Sequence, residues 1–329
     1  MGAMERRDAV VIGAGAAGLM AALELTAAGY DVEVIEARER VGGRAHTVRF
    51  PDGRIANAGA EWVNPEHHEV LGLVDRFGLG LRSGGGFEAL VVDGWARVDE
   101  PADAERVEEA LEGLEGRLTD HERPWDDPVA REMDRRSADD WMHGAGLSEG
   151  ERAWMTAYIH AEYMVEPGEL SELALALAAD LDSGDTAYRI AGGTAELTDA
   201  MARELGEERI RRGDAVRRIE HGQDGVVVRT DTRAVAAERA VVAVPLPALD
   251  RITLDPAVPV PSVHQGRGGK LLVPYARRPD TGTGDRHAGR VGFQHVYDNA
   301  PDDQPGDPGV LTAYTYRPLS EDEVVETFG

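Results

Sequence analysis

The sequence contains no cysteine and only one lysine, Lys270. Without thiols there is no disulfide, no thiolate metal site, no cysteine nucleophile and no cofactor tethered through sulfur. Redox chemistry in this chain therefore needs a bound cofactor. No run of about 18 apolar residues occurs, so a membrane-spanning helix of ordinary length is not expected. The first apolar stretch after Met1 runs into glycines rather than into a signal-peptide cleavage site, and a soluble, cytoplasmic protein is the expectation. Positive charge is also scarce: 35 basic residues stand against 61 acidic ones, a formal net charge of -26, which repels nucleic acid and anionic lipid. That field could draw in cationic ligands, but a solvated acidic surface accounts for it without any ligand. No histidine or carboxylate spacing makes a convincing metal site, and none is expected.

The 329 residues present are enough for two intertwined domains. Ala9 to Ile12 reads as a buried parallel strand. It meets Gly13-Ala14-Gly15-Ala16-Ala17-Gly18 at once, and then a helix whose apolar face carries Leu19 and Leu23. Gly29 is placed to end that helix, and Val32 to Ile35 forms a second strand closed by Glu36. GxGxxG alone is weak evidence, but between a strand and a helix each glycine has a task. One makes the tight turn, one lets backbone approach a pyrophosphate, and one packs helix on strand, with the helix N-terminus facing the phosphates. Glu36 is then the acceptor for ribose hydroxyls. The loop that follows, Glu36-Ala37-Arg38-Glu39-Arg40-Val41-Gly42-Gly43-Arg44, adds two adjacent glycines and further guanidinium groups. That exceeds what a nicotinamide dinucleotide needs and suits a longer, more buried one such as FAD.

Further along, Val70, Val74 and Phe77 recur at helical spacing, and Gly78 to Gly86 is a glycine-rich exit from the first domain. Val107, Leu111, Leu114 and Leu118 predict an acidic outer helix, with Glu105, Glu108, Glu109, Glu112 and Glu115 on its wet side. Helices are predicted from Ser171 to Leu181, around Leu197, Met201 and Leu205, and from Ser320 to Phe328. Strands are predicted at Val226 to Thr230, Ala240 to Val244, Lys270 to Val273 and Val310 to Tyr316.

The Arg40-Val-Gly-Gly-Arg44 loop resembles the signature of the flavin amine oxidase family, which includes monoamine, polyamine and L-amino acid oxidases. The resemblance is distributed and ordered along the chain. Gly59-Ala60-Glu61-Trp62-Val63 with His67 is similar to the family's segment beside the flavin ring. Glu162-Tyr163 with Leu170-Ser171, and Ile190-Ala-Gly192-Gly193, are similar to its middle region. Arg209 to Val216 followed by Val241-Val-Ala-Val-Pro245 resembles its second dinucleotide segment, which implies adenine contact at the backbone of Val216. Gly268-Gly269-Lys270 resembles the strand on which the family holds a water near the flavin through a lysine. Arginine, planar and always charged, replaces lysine everywhere else in this chain but does not replace it here.

The resemblance implies an α/β fold: a Rossmann-like FAD-binding domain from residues 1–80 and 186–258, with an inserted α+β substrate domain from 81–185 and 259–329. It implies non-covalent FAD held by Gly13, Gly15, Ala16, Ala17, Gly18, Glu36, Ala37, Arg38, Gly42, Gly43, Arg44, Gly59, Ala60, Glu61, Trp62 and Val216, with Lys270 catalytic. Trp62, His67 and Tyr163 are the candidates for substrate contact. His67 reads equally as a solvated polar residue at a helix start, and Tyr163 as ordinary packing.

The implied reaction is oxidation of an amine C–N bond with O2 as acceptor, giving H2O2 and, after hydrolysis, a carbonyl compound. An L-amino acid oxidase of the same family is the first alternative. Venom L-amino acid oxidases carry an arginine for the substrate carboxylate where this chain has Glu61-Trp62, which tilts the reading towards simple amines. A C–C desaturase is disfavoured by the acidic exterior, and a non-catalytic FAD-binding subunit is the alternative of a different class. Family members continue into a segment that caps the flavin, so the resemblance implies either a second polypeptide that supplies it, in a hetero-oligomer, or that these 329 residues are a fragment of a longer chain.

Overall fold

In a computed structural model, residues 4–83, 92–93, 96–97, 104–178, 187–261, 263–276, 293–298, 309–317 and 320 are described. In chain order the elements begin with β1 (Glu5–Ile12), α1 (Ala16–Ala27), β2 (Val32–Ile35), β3 (Thr47–Arg49), β4 (Ile55–Asn57), β5 (Trp62–Val63), α2 (His68–Arg76) and β6 (Leu81–Ser83). Then come β7 (Val92–Asp93), β8 (Ala96–Arg97), α3 (Ala104–Glu115), α4 (Pro128–Met133), α5 (Ala138–Gly144), α6 (Glu149–Glu162) and α7 (Glu172–Ala178). After these follow β9 (Tyr188–Ile190), α8 (Ala195–Leu205), β10 (Ile210–Arg211), β11 (Val216–Gly222), β12 (Gly225–Thr230), β13 (Ala234–Val242), α9 (Leu246–Leu249) and β14 (Thr253–Asp255). The last are β15 (Gly269–Tyr275), β16 (Phe293–Asp298) and β17 (Gly309–Thr315). The chain divides into two compact units, residues 1–84 with 188–263 and residues 85–187 with 264–329.

The first unit is built on a seven-stranded sheet of order β10-β2-β1-β13-β12-β11-β14. Its β10, β2, β1 and β13 are parallel, and β13-β12-β11 form an antiparallel meander. Side chains alternate across a strand, so an apolar run such as Ala9 to Ile12 buries both of its faces. Ala9 and Val11 pack with Leu19 and Leu23 of α1 and Met201 and Leu205 of α8, whereas Val10 and Ile12 pack with Ile219, Val228 and Val235 on the opposite side. Helix α1 stops where Gly29, at φ +90°, takes the left-handed conformation that ends helices. The β3-β4 hairpin turns at Pro51-Asp52-Gly53, where Gly53 N donates to Phe50 O and puts the proline second and the glycine fourth in the turn, positions that suit them. A smaller sheet of order β5-β9-β6 sets Trp62, Arg189 and Arg82 directly opposite one another on neighbouring strands.

The second unit gathers α3 to α7 around Val107, Leu114, Met133, Trp141, Met155, Ile159 and Leu175, and carries the antiparallel sheet β15-β17-β16. Glu172 is fully buried there between two arginines, accepting from Arg117 Nη1 at 2.6 Å and lying 3.1 Å from Arg136 Nε. Of the expected stripe, Val107, Leu114 and Leu118 are buried and Leu111 is half-buried against them, and α7 covers the described part of the helix predicted over Ser171 to Leu181. Apart from Ser320, the helix predicted to follow it lies outside the described residues.

Helix α6 begins with a capping box: Glu151 N donates to Ser148 Oγ at 3.3 Å while Ser148 N donates to the Glu151 carboxylate. These bonds from Ser148, with the Arg106 guanidinium behind them, hold the Glu151 carboxyl below its ordinary range. A carboxyl depressed in the folded state stabilises above its unfolded pKa and loses that contribution as pH falls through the folded value. Ser148→Ala is therefore expected to cost about 1 kcal/mol near neutrality. The deficit should shrink as the pH drops below the ordinary glutamate range, a trend that urea midpoints taken across an acid series would reveal or refute.

Candidate functional site

The glycines after β1 are fixed by close approach rather than by flexibility. Gly13 has φ +102°, and a Cβ there would lie 2.8 Å from Ala243 O. A Cβ on Gly18 would overlap Gly13 O, so α1 starts pressed against the end of β1. Gly15 differs: a Cβ would meet nothing within 4 Å. The first turn of α1 has no acidic residue and no capping side chain, and Ala16 and Ala17 are exposed. Its backbone N–H groups face open space, the arrangement that receives an anion.

Three further segments meet at this helix start. Glu36, at the end of β2, is buried, and its Oε2 accepts from Ala14 N at 2.8 Å while Oε1 accepts from Arg38 N at 2.9 Å. Gly213 N donates to Arg38 O and Asp214 N to Glu36 O, which lays the segment leading to buried Val216 beside Glu36, Ala37 and Arg38. Gly42 N donates to Ala14 O at 2.8 Å, and Gly15 and Gly42 form an isolated bridge. Gly43, at φ +57°, leaves room for Gly15: a Cβ would touch the Gly15 Cα at 3.4 Å. Ala60 N donates to Arg44 O at 3.0 Å, and any side chain at Gly59 would overlap that same carbonyl. Of the residues proposed from sequence for the dinucleotide, those in Gly13–Gly18, Glu36–Arg38, Gly42–Arg44 and Gly59–Ala60 lie in adjoining segments of the first unit, with the segment leading to Val216 beside them.

Charge follows the same outline. Arg40 binds the carbonyls of Val41 and Gly43 and so pins its own loop. Arg38 and Arg44 are exposed and make no side-chain hydrogen bond or ion pair among the described residues. Burial first, then the Arg40 and Arg38 charges, push the His46 imidazole below its ordinary value. A pyrophosphate and a ribose fit this cradle, with Gly15 leaving the space and Glu36 still holding free lone pairs.

Beyond Ala60 the picture changes. Glu61 is buried, 3.1 Å from Arg189 Nε, and the Arg189 guanidinium lies 4.1 Å from the centre of the Trp62 ring. Sequence reasoning did not pair Arg189 with Glu61; the signal was a carboxylate flanked by Ala60 and Trp62, which needs a counter-charge if buried. His67 is exposed, and its Nδ1 accepts from Asn64 N at 3.1 Å, so it closes the turn that starts α2.

Lys270 and Tyr163 belong to the second unit. Lys270 sits half-buried on β15, opposite Tyr314 on β17, with Nζ 4.7 Å from the centre of that ring. Tyr163 ends α6, and burial, with a smaller effect of Glu162, pushes its hydroxyl up to about 12. It therefore stays protonated and can donate. The strand leading to Lys270 passes close by: a Cβ on Gly266 would sit 2.5 Å from Tyr163 O. Met164, in the left-handed region at φ 57°, fills the space left by Gly268. Among the described residues no cluster of three or more histidines and carboxylates could hold a metal ion. No described helix is long and apolar enough to cross a membrane.

Residues 16–328 match the family model described as flavin containing amine oxidoreductase. The chain belongs to that family. It is 30% identical to putrescine oxidase of Kocuria rosea over 98% of this chain and 75% of that protein. It is 28% identical to an L-amino acid dehydrogenase of Synechocystis over 82% of this chain and 64% of that protein. Among solved structures, an engineered putrescine oxidase from a redesign of cofactor binding superposes with a TM-score of 0.80 at 26% identity, covering 97% of this chain and 78% of that one. This flavin amine oxidoreductase thus has the α/β, Rossmann-like architecture that its sequence predicts, and its cofactor is a flavin, FAD.

Proposed function

We propose that this chain oxidises the C–N bond of a small amine with O2 as acceptor, and that it holds FAD without a covalent link. The observation that carries the reading is the cradle in which the Gly13–Gly18 loop, Glu36 and the Gly42–Arg44 loop converge on an uncapped helix start. The two relatives are named for putrescine and for L-amino acids, donors that share a carbon bearing an amine. Bound FAD supplies two-electron acceptance. The amine loses two electrons and two protons to become an imine, which water hydrolyses to a carbonyl compound and ammonia or an amine; O2 leaves as H2O2.

In this scheme the chain's own residues bind, orient and manage protons. The open start of α1 and the exposed Arg38 and Arg44 receive the pyrophosphate, Glu36 accepts from ribose, and the backbone near Val216 meets adenine. Residues 1–84 and 188–263 act as the FAD domain, and residues 85–187 and 264–329 as the substrate domain. Lys270 Nζ donates to a water and passes a proton, with the face of Tyr314 holding the ammonium in place. No side-chain nucleophile is needed.

Anaerobic mixing with a panel of diamines, monoamines and amino acids tests the reading. Bleaching of the flavin absorption, followed by one H2O2 per turnover on admitting air, is expected; a flavin that no amine bleaches refutes it. Lys270→Met is expected to keep FAD and slow flavin reduction or reoxidation by roughly 10²-fold, the scale of a positioned proton-transfer group. Unchanged rates in stopped flow would remove Lys270 from the chemistry.

A further inference from the structure

Helix α6 packs against β16 and β17, in the sheet that carries Lys270, and its last turn holds a buried histidine, His160. The reaction scheme does not use that group. A histidine beside Ile159 and Ala161 gives up hydration that a phenylalanine of similar shape would not need, so its polar atoms call for a reason. Its neighbours supply one. Nε2 donates to the Glu166 carboxylate at 3.0 Å, and the ring lies flat on that of Tyr316, with centroids 3.9 Å apart and planes 4° from parallel. Stacking alone lets a ring turn within its own plane, whereas a bond to a carboxylate fixes how the imidazole is turned. Glu166 is itself held: its N–H donates to Glu169 Oε2 at 3.2 Å, and its side chain caps the same short turn.

Tyr316 lies two residues beyond Tyr314, which stands directly opposite Lys270. The other strand is gripped at the matching place. Met164, at φ 57°, puts its sulfur where a Cβ on Gly268 would lie, two residues before Lys270. The stretch from His160 to Met164 thus meets both strands beside the Lys270–Tyr314 pair. His264 also lies 3.6 Å from Glu169, but both of those side chains are exposed, and such a pair holds little.

We propose that His160 is a positioning residue for Lys270. Glu166 fixes the imidazole, the imidazole fixes Tyr316, and β17 is thereby held so that the Tyr314 ring stays under the Lys270 ammonium, 4.7 Å from Nζ. That this placement matters for turnover rests on the amine-oxidation reading; the placement itself does not.

Lys270 is the only lysine in the chain, so isotopic labelling of the lysine Cε methylene gives one side-chain signal from the flavin-loaded protein. Its protons, held over an aromatic face, are expected upfield, and Tyr314→Leu marks where they resonate without that ring. In His160→Ala the signal should move most of the way to that mark. His160→Phe, which keeps the stack without the hydrogen bond, and Glu166→Ala, which removes only an exposed partner, should each fall between. An unmoved signal in folded His160→Ala overturns the proposal; if that variant does not fold, an unmoved signal in Glu166→Ala does.

Kinetics carry the second test. His160→Ala is expected to slow the step that Lys270→Met slows by roughly tenfold, the scale of a small misplacement, with KM for the amine unchanged. In the Lys270→Met background it should slow that step no further. Losses that add in full would mean that His160 acts elsewhere, and they too overturn the proposal. If Lys270→Met is as fast as the wild type, proton management by Lys270 falls, and the lysine signal alone decides whether His160 places it.

Discussion

Gly15→Val is expected to leave the chain folded and yet weaken FAD binding by roughly ten- to hundredfold, whereas Gly18→Ala should damage fold and binding together. The two glycines share a motif but not a reason. Gly15 has φ -76° and ψ 178°, which any residue can adopt, and the space its side chain would fill is empty of protein. Valine there costs the fold at most about 1 kcal/mol, as a poorer helix cap than glycine. Its methyl groups would stand where the pyrophosphate must approach the first turn of α1. Forcing that much extra volume into a fitted site costs about 1–3 kcal/mol, which is the predicted loss in affinity. At Gly18 even one methyl group overlaps Gly13 O, a backbone atom that cannot move without displacing β1. Urea midpoints set beside equilibrium FAD titrations decide the matter. Wild-type affinity in Gly15→Val would mean that no phosphate lies over this helix start, and wild-type stability in Gly18→Ala would mean that the helix is not pressed on the strand as described.

The β1-α1-β2 unit was legible because every step in it is local. A four-residue apolar run, glycines at fixed spacing, a helix face set by Leu19 and Leu23, a stop at Gly29 and an acid after Ile35 are all read within one short stretch. Helices α5 and α6 escaped that reading although both announce their starts, with Ser137 bonding to Asp140 and Ser148 to Glu151. Their apolar stripes are interrupted, α6 placing Met155 and Ile159 among Arg152, Thr156 and His160, so the evidence lay in the caps rather than in the period. Strand β11 was hidden for another reason. A bulge between Val216 and Arg218 breaks its alternation, and Glu220 bonds across to Arg229, so a strand that buries only Val216 and Ile219 carries the composition of a surface. The cradle for the dinucleotide could be proposed from sequence because its segments announce themselves by glycine. The row of Trp62, Arg189 and Arg82 could not, because it exists only once β9 pairs with β5 on one side and with β6 on the other, more than 100 residues apart in the chain.

Arg189→Met is expected to destabilise the chain by about 3–5 kcal/mol, and Glu61→Leu by a similar amount, while the double variant should lie much nearer the wild type. Both side chains are nearly inaccessible, at 0% and 6% exposure, so neither charge can recover its hydration when the other is removed. Removing Arg189 takes away the cation 3.1 Å from a fully buried carboxylate and the partner stacked on Trp62. Removing Glu61 takes away the carboxylate 3.1 Å from Arg189, which still faces Arg82 across the strands. Replacing both by apolar side chains abolishes the mismatch instead of exposing it. A double-mutant cycle by urea denaturation should give a coupling of about 2 kcal/mol or more, and strictly additive effects would mean that the pair is not buried as described. The same cycle reaches the cofactor. Glu61 follows Ala60, whose N–H donates to Arg44 O and so ties this segment to the loop beside Gly15. If the ion pair anchors that segment, FAD affinity should fall in each single variant and return in the double, in step with stability. Affinity that stays low in a refolded double variant would instead assign the Glu61 carboxylate or the Arg189 guanidinium a direct role at the flavin.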